Sequence, residues 1–279
     1  MSSALNGLAP RAQRGARIAG AFVWMGYTEA KAYPLAFFLP LVTALASPVV
    51  YYFVAQLVDS GPSVGDSYYT FAIIGLAANA AMTGGLTAFA STLDYAIQQG
   101  RFETLLVEPV RWRILPFGLA GWAIVVYSIS AVLQFSLGLI LGAEIRVTGL
   151  PIAVIVIVLG ILAGHAVGII SGSVKVLSKR SDPVLGLYMT LAFMLSGVVF
   201  PVGLLPLPLR VLSYCIPHTY VLSALRHVLM TDPSGITGPE AGPAIALLLL
   251  FVALVYPFGL WLWGRALDYG RTLGVLAGY

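Results

Sequence analysis

Long uncharged runs recur along this sequence, and they constrain its fold more than any other feature. A helix that crosses the hydrocarbon core of a membrane needs about 20 mostly apolar residues. Only 9% of the 279 residues are charged, whereas a soluble domain carries about 25%. We therefore predict an all-α membrane protein with six transmembrane helices. The six runs are 33–58, 68–92, 115–142, 151–174, 184–202 and 243–263.

The basic residues predict which way the chain crosses the membrane. Cytoplasmic loops carry an excess of lysine and arginine. If both termini lie on one side, that side holds 12 of the 15 basic residues. We therefore expect a multi-pass protein of the cell membrane. Its N-terminal region (1–32) and its tail (264–279) are expected in the cytoplasm, on either side of a membrane domain (33–263).

Residues 10–32 are predicted to form a surface helix before the first span. Three arginines recur at three-residue spacing, and apolar residues follow on a counter-face. Such a helix lies in the headgroup layer with its arginines toward anionic lipid. An ordinary basic flank beside a span is an equally good interpretation. The residues are Arg11, Arg14, Arg17, Ile18, Phe22 and Met25.

The fourth span carries a glycine at every fourth position: Gly160, Gly164, Gly168 and Gly172. This spacing places them on one helix face, where another helix can approach closely. His165 lies beside that face. A histidine inside a span either packs through hydrogen bonds or handles a proton or substrate. Packing is the favoured interpretation.

Residues 196–230 stay apolar but contain several prolines, which break a helical hydrogen-bond ladder. The stretch cannot be one spanning helix, and it is too apolar for a solvated loop. We expect two short helices, about 205–214 and 218–229, that dip into the outer leaflet as a re-entrant hairpin (about 204–229). Irregular backbone at that depth must be buried against protein.

Several kinds of chemistry have no motif in this sequence. There is no G-x-x-x-x-G-K-[ST] phosphate loop, so the chain is not expected to hydrolyse nucleotides. No zinc motif occurs, and three scattered histidines do not predict a metal site. The spans are nearly free of the ionisable residues that ion-coupled carriers use. We therefore predict a chain that is not itself an enzyme, holds no cofactor or metal, and receives its energy from outside.

One charged segment, "QQGRFETLLVEPVRWRILP" at 98–116, interrupts the apolar runs. Asp94 to Val107 can form one helix with Phe102, Leu105 and Leu106 on a common face. Pro109 would end it, because the residue before a proline is pushed away from helical angles. An apolar edge flanked by charges suits docking to a cytosolic partner. A solvated loop held at the headgroups by its arginines is the alternative.

This segment and the proline-rich stretch together resemble membrane subunits of ATP-binding-cassette exporters of the ABC type-2 family. The family's loop has a glycine, an acidic residue, a leucine pair and a proline. Its second pattern has serine-glycine, aromatic-proline, leucine-proline, and then proline with tyrosine and arginine. The matching residues are Gly100, Glu103, Leu105, Leu106 and Pro109, and Ser196, Gly197, Phe200, Pro201, Leu205, Pro206, Pro217, Tyr220 and Arg226. The resemblance covers about 15–265.

The resemblance implies a dimer of permease subunits, each docked on a separate nucleotide-binding subunit that uses ATP and magnesium. The second permease is another copy or a paralogue. Residues 94–109 would be the coupling helix, residues 10–32 the connecting helix, and the hairpin an external gate. The expected coupling residues are Gly100, Arg101, Phe102, Glu103, Leu105, Leu106 and Pro109, and the expected gate residues are Pro201, Pro206, Pro217, Tyr220 and Arg226.

The family's polysaccharide exporters carry a basic N-terminal motif that is not evident here, which favours export of a drug, antibiotic or lipid-like cargo. No nucleic-acid partner is expected. Candidate cavity-lining residues are Phe37, Phe38, Tyr51, Tyr52, Asn79, Thr83, Phe193 and Phe200. Packing of these aromatics against helices or lipid is the alternative.

Three other functions remain open at this point. The first is an ion-coupled carrier or channel with a filter at 196–230. The second is an intramembrane lipid-modifying enzyme that uses His165 or His218. The third is a membrane anchor that docks a cytosolic partner through 94–113.

Overall fold

A computed structural model describes residues 20–58, 68–100, 112–178, 183–232 and 236–272. Within these ranges the chain is helical, with two short 3₁₀ turns and no strand. The helices are α1 (20–32), α2 (Pro34–Ala44), α3 (Ala46–Val58), α4 (Tyr68–Gln98), α5 (Leu115–Ile140), α6 (Leu150–Ser178), α7 (Pro183–Leu195), α8 (Leu207–Tyr214), α9 (Pro217–Leu229) and α10 (Ala241–Thr272).

Five helical stretches in the described ranges are long and apolar enough to cross a membrane. They confirm the prediction of an all-α protein that passes the membrane several times. The stretches are Pro34–Leu57, Tyr68–Gln98, Leu115–Ile140, Val147–Leu177 and Ala241–Tyr269.

The segment predicted to span at 184–202 differs from the other five. Helix α7 has 13 residues, a length of about 20 Å at 1.5 Å per residue, against a hydrocarbon core of about 30 Å. The chain turns after Leu195, where Gly197 has φ +85°. This left-handed backbone favours glycine and ends the helix. The predicted count of six spanning helices is therefore not reached by helix length in the described residues.

The first span is also interrupted. Helices α2 and α3 are separated at Leu45. Pro48 lies in the first turn of α3 and has no N–H to donate to the carbonyl four residues earlier, which favours a break at this point. The two helices still form one apolar stretch of 24 residues.

Helix α4 is the centre of the bundle. In its most apolar stretch 78% of the residues are buried, against 11% for Pro34–Leu57 and 11% for α10. Helices α5 and α6 pack on α4, and α10 packs on α6. Helix α9 fills the space between α4, α6 and α10 at one end.

The core has two layers, one toward each end of the bundle. We call the end that holds α8 and α9 the hairpin end; its layer includes Phe71, Met82 and Leu225. The other end, where α4 stops and α5 begins, is the loop end. Its layer includes Phe89 and Trp263, whose rings meet edge to face at 5.0 Å.

The glycine stripe of α6 faces α4 at very short range. A Cβ on Gly164 would lie 2.7 Å from the Met82 carbonyl oxygen, and one on Gly168 would collide with the Leu86 carbonyl. From the other side, a Cβ on Gly85 of α4 would collide with the Ile161 carbonyl. Gly160 and Gly172 extend the contact in both directions, toward Met82 and Phe89. The backbones of α4 and α6 therefore touch directly.

We predict that Gly168→Ala destabilises the protein, because one methyl group must push the two helices apart. Overpacking of this kind costs roughly 1–3 kcal/mol. Gly186→Ala in α7 is the matched control, since nothing lies within 4 Å of its added Cβ. Thermal unfolding of both variants in detergent checks the prediction. Equal stability of Gly168→Ala and wild type would mean that the helices are not in backbone contact.

Candidate functional site

A polar face runs along α4, although most of that helix is buried. Asn79, Thr83 and Thr87 are half-buried and Ser91 is exposed, at a spacing of four residues. The Thr87 hydroxyl donates to the Thr83 carbonyl at 2.8 Å, and the Ser91 hydroxyl donates to the Thr87 carbonyl at 2.8 Å. Polar residues in a spanning helix normally face the bundle interior or a water-filled cavity. This face is the best candidate for a passage.

The sequence analysis named Asn79 and Thr83 as cavity-lining candidates and missed Thr87 and Ser91. The sequence does contain a pattern that could have identified them, because all four residues share the spacing of one helix face. Only the burial pattern of α4 separates this face from its neighbours.

The predicted aromatic candidates do not meet in one cavity. Tyr51, Tyr52 and Phe193 pack against the hairpin-end core, and the Tyr52 ring meets Tyr69 edge to face at 5.7 Å. At the loop end, the Phe37 ring stacks on Trp122 at 6.1 Å. The Phe38 ring meets Phe37 at 5.1 Å and is mostly exposed. Phe200 is half-buried in the bend after α7.

Arg226 of α9 is a buried cation at the hairpin end. Its Nη1 donates to the Gly197 carbonyl at 2.6 Å. Its Nη2 lies 2.8 Å from the Val198 carbonyl and 3.2 Å from the Phe71 carbonyl. The guanidinium also lies 3.3 Å from the centre of the Phe71 ring. Burial lowers the pKa of Arg226 to about 9, so the side chain stays charged at neutral pH.

Arg226 thereby joins three elements: α9, the bend after α7 and the first turns of α4. Gly75 of α4 permits the approach, since a Cβ there would collide with the Val198 carbonyl. Pro201 and Ser196 line the same small cavity as Arg226. The predicted gate residues Pro201 and Arg226 are thus brought together.

The other predicted gate residues lie within the hairpin itself. Pro206 precedes α8, and Pro217 is the first residue of α9. The Tyr220 hydroxyl donates to the Tyr214 carbonyl at 2.7 Å, and the Thr219 hydroxyl donates to the Ser213 carbonyl at 2.6 Å. These bonds connect the start of α9 to the end of α8.

The two histidines that were considered for chemistry are both buried. In the neutral ring, Nε2 of His165 donates to the Pro116 carbonyl at 3.2 Å, which leaves Nδ1 to accept from the Tyr256 hydroxyl at 2.7 Å. This arrangement ties α6 to α5 and α10. The His218 ring lies 5.9 Å from the Tyr188 ring, and burial lowers its pKa to about 4. His218 is therefore neutral at physiological pH.

At the loop end, two contacts flank the charged segment. Lys175 of α6 pairs with Asp94 of α4 at 2.7 Å. The Trp263 indole of α10 donates to the Trp112 carbonyl at 3.0 Å. The segment is thus bracketed by bonds to α6 and α10. The predicted coupling residues Arg101, Phe102, Glu103, Leu105, Leu106 and Pro109 lie outside the described residues.

Within the described residues, the single helix predicted from Asp94 to Val107 is interrupted before Gly100. Asp94 belongs to α4, which ends at Gln98. Gly100 follows with φ +67°, and its N–H donates to the Ile97 carbonyl at 3.0 Å. A left-handed glycine after the last turn is a common helix stop. Gly100, predicted from the family resemblance as a coupling residue, therefore also caps α4.

In the described ranges, no three histidine, cysteine, aspartate or glutamate residues lie together as a metal site. In a comparison with known families, the model described as ABC-2 type transporter matches residues 21–230. These residues make up most of the chain and include the charged segment, the bend and Arg226. No curated protein matches the chain.

We predict that Arg226→Met destabilises the protein strongly. Methionine keeps the apolar stem but leaves buried carbonyls without donors, which costs roughly 2–5 kcal/mol. Arg146→Met is the control, because Arg146 makes an exposed side-chain bond to the Thr231 carbonyl at 2.9 Å and should lose less than about 1 kcal/mol. Thermal unfolding of the purified variants is the measurement. Equal losses in both would contradict the anchoring role of Arg226.

We also predict that Tyr256→Phe costs about 1 kcal/mol of stability, since it removes the hydroxyl that His165 accepts from. Tyr95→Phe in α4 is the control, because Tyr95 is mostly exposed. The same unfolding assay applies. If the two variants are equally stable, the His165–Tyr256 bond does not contribute to packing.

Proposed function

Because this chain belongs to the ABC-2 type transporter family, we propose that it is the permease of an ATP-driven exporter. It moves a hydrophobic or amphipathic cargo, such as a drug, an antibiotic or a lipid-like molecule, out of the cytoplasm or the inner leaflet. A separate nucleotide-binding subunit, with ATP and magnesium, supplies the energy. The observation that carries this proposal is the family match, which spans both the charged segment and the hairpin.

The proposed membrane arrangement has six spans with both termini in the cytoplasm. Helix α7 enters as the fifth span, and the bend at 196–205 completes the crossing. Helices α8 and α9 form the re-entrant hairpin on the external side, and α1 lies in the inner headgroup layer. Five long apolar helices and the distribution of basic residues support this layout.

Transport requires a signal to pass from the ATPase to the exit. We infer that the ATPase contacts the segment 98–109, with Glu103 meeting a basic residue. The Asp94–Lys175 pair and the Trp112–Trp263 bond connect both flanks of this segment to the long helices α6 and α10. Closure of the ATPase subunits then shifts the balance between inward-open and outward-open arrangements.

The signal then travels through α4. Its glycine contact with α6 makes the two helices move together, because the backbones leave no gap to absorb a displacement. At the hairpin end, Arg226 joins the Phe71 carbonyl of α4 to the bend and to α9. Movement of α4 therefore reaches the hairpin that closes the exit.

The cargo passage forms between two permeases, a second copy or a paralogue of this chain. The polar face of α4 at Asn79, Thr83, Thr87 and Ser91 lines one wall. A lipid-modifying enzyme is the weaker alternative, because His165 and His218 are each 2% exposed and a catalytic base must reach its substrate.

The direct test is a mild-detergent pull-down of the tagged protein from its native membranes, followed by mass spectrometry. We expect a stoichiometric soluble ATPase that is lost when residues 98–109 are replaced by a Gly/Ser linker of equal length. Recovery of the chain without a nucleotide-hydrolysing partner would overturn the proposed function.

We further predict that Glu103→Arg uncouples ATP hydrolysis from transport while the protein still folds. Reversal of one charge at the contact should lower transport roughly tenfold, within the usual range of coupling energies between sites. Glu144→Arg, the same change beyond the far end of α5, is the control. Transport and ATPase activity are measured together in proteoliposomes. Full transport by Glu103→Arg, with the ATPase assembled, would contradict the coupling role.

A further inference from the structure

An aromatic groove lies at the loop end, between α1, α2 and α5. Its volume is about 310 Å³, and it is lined by Gly26, Glu29, Tyr33, Phe37, Trp122 and Val126. None of the interactions described for coupling or for the hairpin uses these residues. The groove is therefore a separate feature of the bundle.

The floor of the groove is a fixed indole ring. Helix α1 rests on Trp122 through Gly26, where any Cβ would collide with the indole side chain. The Phe37 ring stacks on Trp122 at 6.1 Å with an angle of 29° between the planes. Tyr27 meets the indole edge to face at 6.0 Å. These contacts hold the ring in place and make the groove preformed.

One carboxylate lies in this aromatic surrounding. Glu29 lines the groove together with Tyr33 and Trp122. Across the described ranges the structure records no cation paired with Glu29. Lys31, two positions further along α1, instead lies 5.0 Å from the Tyr27 ring centre. A cation on an aromatic ring is thus already present at the edge of the same cluster.

The groove opens at the surface of the bundle, beside an exposed aromatic ring. Tyr33 is 71% exposed, and it follows α1 at the start of the first span. Exposed tyrosine and tryptophan rings are typical of the membrane–water interface, where amphipathic molecules place their headgroups. A ligand in the groove therefore has its head at interface depth and its tail in the hydrocarbon.

We propose that this groove binds a cationic amphiphile, with its ammonium group between Glu29 and the faces of the aromatic rings. Aromatic faces and a carboxylate both attract a cation, and both disfavour an anion. The apolar tail extends along α2 into the inner leaflet. This inference rests on the proposed export function and narrows its cargo to amphiphiles that carry a positive charge.

The probe is trimethylammonium-diphenylhexatriene, and uncharged diphenylhexatriene is its neutral partner. The purified protein is placed in phosphatidylcholine nanodiscs, where choline headgroups are in large excess. Binding is followed as energy transfer from the protein's tryptophans, and the saturable part is identified by competition with dodecyltrimethylammonium. We expect saturable binding of the cationic probe and little for the neutral one.

Three variants test the site. Glu29→Gln should weaken binding of the cationic probe about fivefold, as expected for one partly exposed charge contact. Glu144→Gln makes the same chemical change on an exposed residue beyond the far end of α5 and should have no effect. Trp122→Leu should weaken binding at least as much as Glu29→Gln, because it removes the floor of the groove.

Equal binding of the cationic and the neutral probe would overturn the proposal. Equal affinity of Glu29→Gln and wild type for the cationic probe would overturn it as well. Absence of a saturable signal in the phosphatidylcholine nanodiscs would also overturn the proposal, because choline headgroups of ordinary lipid would then compete fully with the probe for the site. The assay needs no ATPase. Failure to recruit an ATPase therefore refutes the proposed export function. Equal binding of the cationic and the neutral probe refutes only the proposed site.

Discussion

The direct backbone contact between α4 and α6 determines how the rest of this bundle is arranged. In lipid, helices gain no hydrophobic free energy from associating, so they need close van der Waals contact. Glycine supplies it by removing the Cβ atoms that would hold the two backbones apart, as at Gly85 and Gly168. With α6 on one side of α4, the other helices take the faces that remain. Helix α5 covers α4, and α10 covers α6.

The buried Arg226 and the end of α7 depend on each other. A helix that stops inside the bundle leaves carbonyls without donors, and in an apolar environment each unpaired group is costly. The guanidinium supplies donors to the carbonyls of Gly197 and Val198. The arginine in turn needs acceptors, because an unpaired buried charge would be far more costly than a lost neutral hydrogen bond. The bend and the cation therefore stabilise one another.

Three groups of polar residues in the described ranges lie at different heights along α4. Asp94 and Lys175 pair at the loop end, and the polar face lies along the middle of α4. Arg226 lies at the hairpin end, where it bonds the Gly197 carbonyl. All three involve α4. The aromatic groove at Trp122 lies between α1, α2 and α5, away from these three groups.

Much of the fold was predictable from the sequence, because apolar length and the order of charges are properties of a one-dimensional chain. They suffice for an all-α membrane protein, and two short motifs indicate the family. At Gly197 a left-handed backbone ends a helix that apolar composition would continue, and at Gly100 a left-handed backbone follows the end of α4. The aromatic candidates, which the sequence analysis grouped as one set, lie in two groups at opposite ends of the bundle.

Only the tertiary structure decided which residues meet. Arg226 and Phe71 are 155 positions apart, yet the guanidinium bonds the Phe71 carbonyl. Glu29, Phe37 and Trp122 likewise form one groove, although they belong to three helices. No local pattern predicts such contacts, because they depend on how closely whole helices pack. The sequence by itself determined the helices, the membrane and the family; their packing decided where a charge could be buried and where a groove stays open.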